Sequence, residues 1–262
     1  MSFVDCGAGR PVLFSACCAG RVYFYPDALD PDRNFSMEES VLAFSNFYDC
    51  PIFSLASAVV RPEVGGDRSF SVLCTGDRDG NIRVWLKPDG DLEDLRASAS
   101  GQKFRHVQLY KSSTHRGTGY HLVTRAMFVG DDNLLITGTN NGDVRFWQLQ
   151  CAEDSSKAIG KGPLPSLTLR YDLMGIHNGA VELLMNVGDV LLTCGGNDGK
   201  ILGWDISTGL RLGSVQCHPG RRIEEGGGDI LYSCVVDRLM SRKDVRIITL
   251  CRDSSLRQFE MM

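Results

Sequence analysis

Repeated four-stranded antiparallel sheets, the all-β architecture of a β-propeller, are predicted by three observations. One is self-similarity: a segment made of an aliphatic run, a tight polar turn and a closing aromatic recurs five times along the 262 residues. Another is turn chemistry, because Asp-Gly or Asn-Gly between β-rich runs is a strong short-range hairpin signal. The third is that no amphipathic helical period of convincing length interrupts the series.

Taken in order, the copies are Ser15–Tyr25 (SACCAGRVYFY), Thr75–Trp85 (TGDRDGNIRVW), Thr137–Trp147 (TGTNNGDVRFW), Cys194–Trp204 (CGGNDGKILGW) and Thr249–Phe259 (TLCRDSSLRQF). They predict hairpins near 12–25, 71–85, 133–147, 190–204 and 246–259. The turns are Asp79-Gly80, Asn141-Gly142 and Asp198-Gly199, with Ala19-Gly20 and Asp253-Ser254 as weaker versions. In these pairs Gly takes positive φ cheaply and Asp or Asn bonds back to its own turn. The turn glycines are 60, 62 and 57 residues apart, with 55 more to Ser254.

Each hairpin has a strand candidate before and after it. Those before are Pro51–Val60, Leu122–Val129, Ala180–Asn186 and Ile230–Val236; those after are Val41–Phe47, Phe104–Tyr110, Leu164–Tyr171 and Leu210–Gln216. Residues 1–262 are therefore expected to form one domain of five four-stranded blades, incomplete or open. Met262 follows Phe259 too soon for a last fourth strand, and an unpaired edge invites pairing. Three remedies are open: Ser2–Cys6 supplies the missing strand, a partner supplies a strand or blades, or the chain is a fragment of a longer one.

These residues resemble the WD-repeat family over nearly the full chain. The fourth copy matches best, with His177, Ala180–Asn186, Asp198-Gly199 and Trp204-Asp205 in order. Blades of that family usually run about 40–45 residues, so each copy here carries extra loop residues. The resemblance implies a hydrogen-bonded tetrad of His, Ser or Thr, turn Asp and Trp. It assigns His177, Asp198 and Trp204 in the fourth blade, with Cys194 at the hydroxyl position, which predicts an incomplete network. It assigns Thr75, Asp79 and Trp85 in the second blade, and Thr137, Asn141 and Trp147 in the third, preceded by His115 or His121. In the fifth it assigns Thr249 and Asp253, with Phe259 in place of Trp. A fully paired network of this kind locks one register, since unpaired buried polar groups are costly.

Loops displayed on a rigid scaffold are where partners are expected. Arg78, Asn140, Asn197 and Arg252 precede the turn Asp or Asn and are expected to be exposed, with Tyr120 and Arg222 in loops of the same face. Long connections at Pro26–Ser40, Leu86–Gln102 and Gln148–Pro163 predict an enlarged platform on the opposite face. No ending after Trp85, Trp147 or Trp204 has the Trp-Asp-x-Arg sequence with which some family members dock a ubiquitin-ligase adaptor.

Composition narrows the functional classes. Hydrophobic residues make up 43% and charged residues 23%, as in an ordinary globular chain. A net charge of −4 gives no global positive field, so nucleic acid is not the expected partner; Arg221-Arg222 and Arg242-Lys243 read as solvated pairs. Ten cysteines without a Cys-x-x-Cys pair, with Cys17, Cys74, Cys194, Cys234 and Cys251 in apolar runs, fit buried thiols in a reducing compartment, the cytoplasm or nucleus. No stretch reaches the roughly 20 apolar residues of a membrane span. Nucleophile-elbow, zinc-protease and phosphate-loop motifs are all missing, and no cofactor or metal is expected. Gly226-Gly227-Gly228 lacks the strand-to-helix context of a phosphate cradle. The sequence thus predicts a non-catalytic scaffold or adaptor for protein partners; an RNA-associated factor of a processing complex is the alternative.

Overall fold

The structure is a computed structural model and describes residues 2–5, 11–25, 40–45, 49–60, 70–86, 105–111, 122–129, 133–152, 164–217, 231–238, 245–251 and 256–261. All regular elements among them are strands: β1 (Ser2–Asp5), β2 (Pro11–Ala16), β3 (Arg21–Tyr25), β4 (Val41–Ser45), β5 (Ile52–Val60), β6 (Phe70–Asp77), β7 (Asn81–Leu86), β8 (Arg105–Lys111), β9 (Val123–Val129) and β10 (Leu134–Thr139). The remainder are β11 (Val144–Ala152), β12 (Leu164–Leu173), β13 (Val181–Val187), β14 (Val190–Gly195), β15 (Lys200–Asp205), β16 (Arg211–Gln216), β17 (Leu231–Arg238), β18 (Val245–Cys251) and β19 (Leu256–Met261).

They form five sheets in chain order: β1-β2-β3-β4, β5-β6-β7-β8, β9-β10-β11-β12, β13-β14-β15-β16 and β17-β18-β19. Each is a meander of hairpins, so every strand neighbours its sequence neighbour. The described residues of the five hairpins and of the eight flanking segments expected from the sequence contribute strands to these sheets. β1, from the segment expected to supply the missing strand, pairs with β2, Ser2 opposite Phe14 and Asp5 opposite Pro11. One correction concerns Gln148–Pro163, since β11 continues to Ala152 and shortens that connection. The rest of the three long connections, apart from Ser40 and Leu86, lies outside the described residues.

Central strands are buried on both faces, which explains their continuous apolar runs. In β10 all six residues, Leu-Leu-Ile-Thr-Gly-Thr, are buried. The turn glycines Gly20, Gly80, Gly142 and Gly199 have φ of 69°, 77°, 84° and 60°, the region that disfavours a Cβ.

The chain divides into two compact units, Met1–Thr137 with Phe146–Arg170, and Gly138–Arg145 with Tyr171–Met262. In the first, Phe44 of β4 stacks on Trp85 of β7, centroids 3.9 Å apart at 21°, within a cluster that includes Phe14, Phe24 and Leu73. A second cluster joins Val72, Cys74, Val84, Val123, Leu135 and Trp147. In the other unit Leu192, Cys194, Ile201 and Cys217 form the apolar centre of the fourth sheet. Cys74 and Cys194 are buried in strands, whereas Cys17 is half-buried at the turn after β2, where its carbonyl accepts from the Gly20 N–H. Burial pushes the Cys74 thiol well above its ordinary pKa.

Candidate functional site

Three tryptophans occupy equivalent settings. The Nε1–H of Trp85 donates to Thr75 Oγ1 at 3.0 Å, that of Trp147 to Thr137 Oγ1 at 2.9 Å, and that of Trp204 to Thr193 Oγ1 at 3.0 Å. In the first sheet Ser15 Oγ and Tyr25 OH, 3.1 Å apart, hold the same places. Each pair crosses from the second to the third strand of its sheet, where an indole N–H would otherwise be buried without an acceptor.

The fourth sheet extends this contact into a chain. His177 Nε2 lies 2.8 Å from Thr193 Oγ1, and His177 Nδ1 lies 3.0 Å from Asp198 Oδ2. Donors and acceptors match when the His177 proton is on Nδ1: indole N–H to hydroxyl, hydroxyl to Nε2, Nδ1–H to carboxylate. The Asp198 carboxylate also accepts the backbone N–H groups of Asn178 and Lys200. Burial alone would raise its pKa, but the His177 hydrogen bond and these N–H donors together hold it below the usual carboxylate range.

The expectation that Cys194 fills the hydroxyl position is corrected. In the second and third sheets the hydroxyl and Trp are 10 residues apart, but Thr193 and Trp204 are 11 apart. The ladder shows the shift: Thr75 stands opposite Arg83 and Thr193 opposite Leu202, each two residues before its Trp. The turn of the fourth sheet contains one extra residue. A fixed count from Trp204 therefore falls on Cys194, whose side chain lies in the apolar cluster.

The second sheet requires a similar correction. Asp79 is on the outside of its turn, its carboxylate 3.7 Å from Arg78 Nε. Asp77 is fully buried instead, and accepts the N–H groups of Asp79 and Asn81 at 3.0 and 2.9 Å and Asn81 Nδ2 at 3.0 Å, with Arg83 Nε at 3.5 Å. In the third sheet Asn141 is likewise exposed, and Thr139 Oγ1 accepts the N–H groups of Asn141 and Asp143. Asp77 and Thr139 each stand two residues after the sheet's Thr. In the fourth sheet that position is Gly195, where a Cβ would meet Asp198 Oδ1 at 2.6 Å and His177 Nδ1 at 2.7 Å. The missing side chain leaves room for the His177–Asp198 pair.

His177 is carried by a loop that the third sheet's turn fastens. Gly142 O accepts the N–H groups of Ile176 and His177 at 3.1 and 3.3 Å, and Asp143 Oδ1 accepts that of Gly175 at 2.7 Å. Arg145, 2% exposed, places Nε 2.8 Å from Asp172 Oδ1 and Nη2 3.9 Å from Asp143 Oδ2. Tyr171 adds a clamp: its OH donates to Ser207 O at 2.5 Å while its ring lies against Gly209. None of Thr193, Asp77, Thr139, Asp143, Arg145, Asp172 or Tyr171 was singled out by the sequence. The Thr–Trp pairing was the signal for Thr193, readable once an extra turn residue is allowed.

Of the residues expected to be exposed for partners, Arg78 is exposed, with its backbone N–H bound to Pro51 O. Asn140 and Asn197 are corrected to half-buried; Asn197 abuts Gly179 and donates its backbone N–H to Asn178 O. Tyr120, Arg222, Arg252, Asp253, His115 and His121 lie outside the described residues, as do the side chains of Thr249 and Phe259.

The acid–histidine–hydroxyl order resembles that of a nucleophilic triad. However, Thr193 Oγ1 is 0% exposed and already accepts the Trp204 N–H, so substrate cannot reach it. Among the described residues no group of three or more His, Cys, Asp and Glu side chains could hold a metal ion, and no helix is long and apolar enough to cross a membrane.

No family model and no curated protein sequence matches the chain. Its backbone is similar to the crystal structures of Sqt1 from Saccharomyces cerevisiae (TM-score 0.59, 13% identity) and of Sqt1 from Chaetomium thermophilum (TM-score 0.59, 17% identity). The fold is all-β, built from antiparallel sheets of the β-propeller kind. The similarity covers 99% of this chain in both cases but 58% and 59% of the Sqt1 chains, so the propeller sheets described here span less than two thirds of either one's length.

Proposed function

We propose that this protein is a non-catalytic WD-repeat scaffold or adaptor that holds protein partners within a multiprotein complex of the cytoplasm or nucleus. The observation that carries the reading is the sealed chain Trp204–Thr193–His177–Asp198, whose polar groups are engaged with one another and with backbone. It stabilises a display surface and offers no reacting group. Arg78, exposed beside Asp79, is a candidate contact of the kind enriched in interface hot spots. Cys17, Cys18, Cys50, Cys74, Cys194 and Cys217 are thiols outside any disulfide, which supports a reducing compartment. A strand or blade supplied by a partner to the last sheet belongs to the same reading.

Affinity purification of the tagged full chain tests it, with Arg78→Glu compared under identical conditions. The expected result is a protein set retained at fixed stoichiometry, resistant to ribonuclease and reduced several-fold by Arg78→Glu. Loss of the whole set on ribonuclease treatment would turn the reading to the RNA-associated alternative. Retention of no protein would overturn the scaffold itself.

A further inference from the structure

Among strands with described side chains, β16 alone is exposed at every position. It ends the order β13-β14-β15-β16, so one side of its backbone has no strand partner among the described residues. Ladder register shows what this leaves open. Phe44 of β4 stands opposite Val22, three residues before Tyr25, and is 1% exposed under Trp85. Val215 of β16 stands opposite Ile201, three residues before Trp204, yet is 41% exposed. A register shift between the Gly203 and Trp204 pairs extrudes Leu212, 59% exposed, next to Leu210 at 66%.

Charge distinguishes the two ends of this apolar edge from its middle. Lys200, opposite Gln216, and Arg211, opposite Trp204, are exposed and have no carboxylate partner among the described residues. The carboxylates on the same two turns are already occupied. Asp198 binds His177 and two backbone N–H groups, and Asp205 accepts from Ser207 Oγ at 2.6 Å and from the N–H groups of Ser207 and Thr208. The edge therefore presents unpaired cations at both ends and aliphatic side chains between them.

The size of the edge selects the occupant. Six residues extend about 20 Å, whereas a stable dimer of globular chains buries about 1,200–2,000 Å² in total. One strand edge does not supply that area. An extended peptide needs only the main-chain ladder and contacts for alternate side chains. We propose that β16 is a strand-addition site for an extended, aliphatic segment of a partner protein flanked by acidic residues. This deepens the scaffold reading and rests on it for the existence of a partner, but it uses a surface other than the turn that carries Arg78.

Fluorescence anisotropy with the full chain tests the proposal. The probe is a fluorescein-labelled nonapeptide alternating valine and threonine, with glutamate at both ends. Its controls are a lysine-ended twin and two twins N-methylated on alternate amides. The glutamate-ended peptide is expected to bind saturably, the lysine-ended twin at least tenfold more weakly, and one N-methylated twin at least tenfold more weakly than the other. Leu212→Asp should weaken binding at least tenfold with an unchanged melting temperature. The pair Lys200→Glu with Arg211→Glu should reverse the preference between glutamate and lysine ends, which mere misfolding does not do. Absence of saturable binding, or binding indifferent to N-methylation and charge reversal, overturns the proposal. So does a dimer in sedimentation that Leu212→Asp dissolves, because the edge then belongs to a second copy. Partner capture that depends on Arg78 would survive any of these failures and leave the scaffold reading standing.

Discussion

Replacing Thr193 with valine keeps the side-chain shape and removes the one oxygen joining Trp204 to His177. The indole N–H and His177 Nε2 are then both buried without a partner, at about 1–3 kcal/mol each, or about 2–6 kcal/mol together. Thr193→Ser keeps the hydroxyl and loses one buried methyl, for about 1 kcal/mol. Cys194→Ser separates the two placements of the hydroxyl position. If residue 194 belonged to the network, a serine there would complete it and stabilise the chain. In the structure Cys194 lies among Leu192, Ile201 and Cys217, so a serine buries a hydroxyl in an apolar cluster and costs about 1–2 kcal/mol. Urea unfolding followed by tryptophan fluorescence measures all three. The expected order of stability is wild type, then Thr193→Ser and Cys194→Ser, then Thr193→Val well below them. A Thr193→Val midpoint within error of wild type, or a stabilising Cys194→Ser, would refute the network as described.

Three other predictions use the same measurement. Asp77→Ala should cost about 3 kcal/mol because it leaves three turn donors without their acceptor and removes the carboxylate 3.5 Å from Arg83 Nε, while Asp79→Ala at the exposed position should stay within about 0.5 kcal/mol. Gly142→Ala places a Cβ 2.0 Å from His177 O at φ 84° and should cost about 3 kcal/mol or more, whereas Gly188→Ala, at φ 62° with nothing within 4 Å, should cost about 1 kcal/mol. The folded-state pKa of Asp198 is lowered, so its contribution to stability is fully present above the unfolded value of about 3.9 and is lost as pH falls through the folded value. Unfolding midpoints measured down the acid range should show that loss in wild type and a shallower one in Asp198→Asn.

The hairpins were legible because their signals are local. Gly80, Gly142 and Gly199 close short polar turns and Gly20 closes the turn Cys17-Cys18-Ala19, and positive φ at those glycines is a property of a few neighbouring residues. The flanking strands were legible for the same reason, through continuous or alternating apolar runs such as Leu134–Ile136. Equivalent positions in different sheets are set by strand pairing, which a count along the chain does not reproduce. One extra turn residue moved the hydroxyl position from Thr193 to Cys194. Asp79 and Asn141 were chosen for standing next to a turn glycine, but Asp77 and Thr139, at the inner corners, are where the backbone N–H groups converge.

By itself the sequence determined an all-β chain of five repeated hairpins with aromatic ends, because strand period and turn chemistry act over a few residues. Tertiary structure alone decided which polar side chains meet. His177 reaches Thr193 and Asp198 from 16 and 21 residues away because Gly142 and Asp143 of another sheet fasten its loop and Gly195 leaves it space. It also decided that β16 is uncovered where β4 lies under Trp85, since burial depends on what packs against a strand and the strand's own residues do not encode its neighbour.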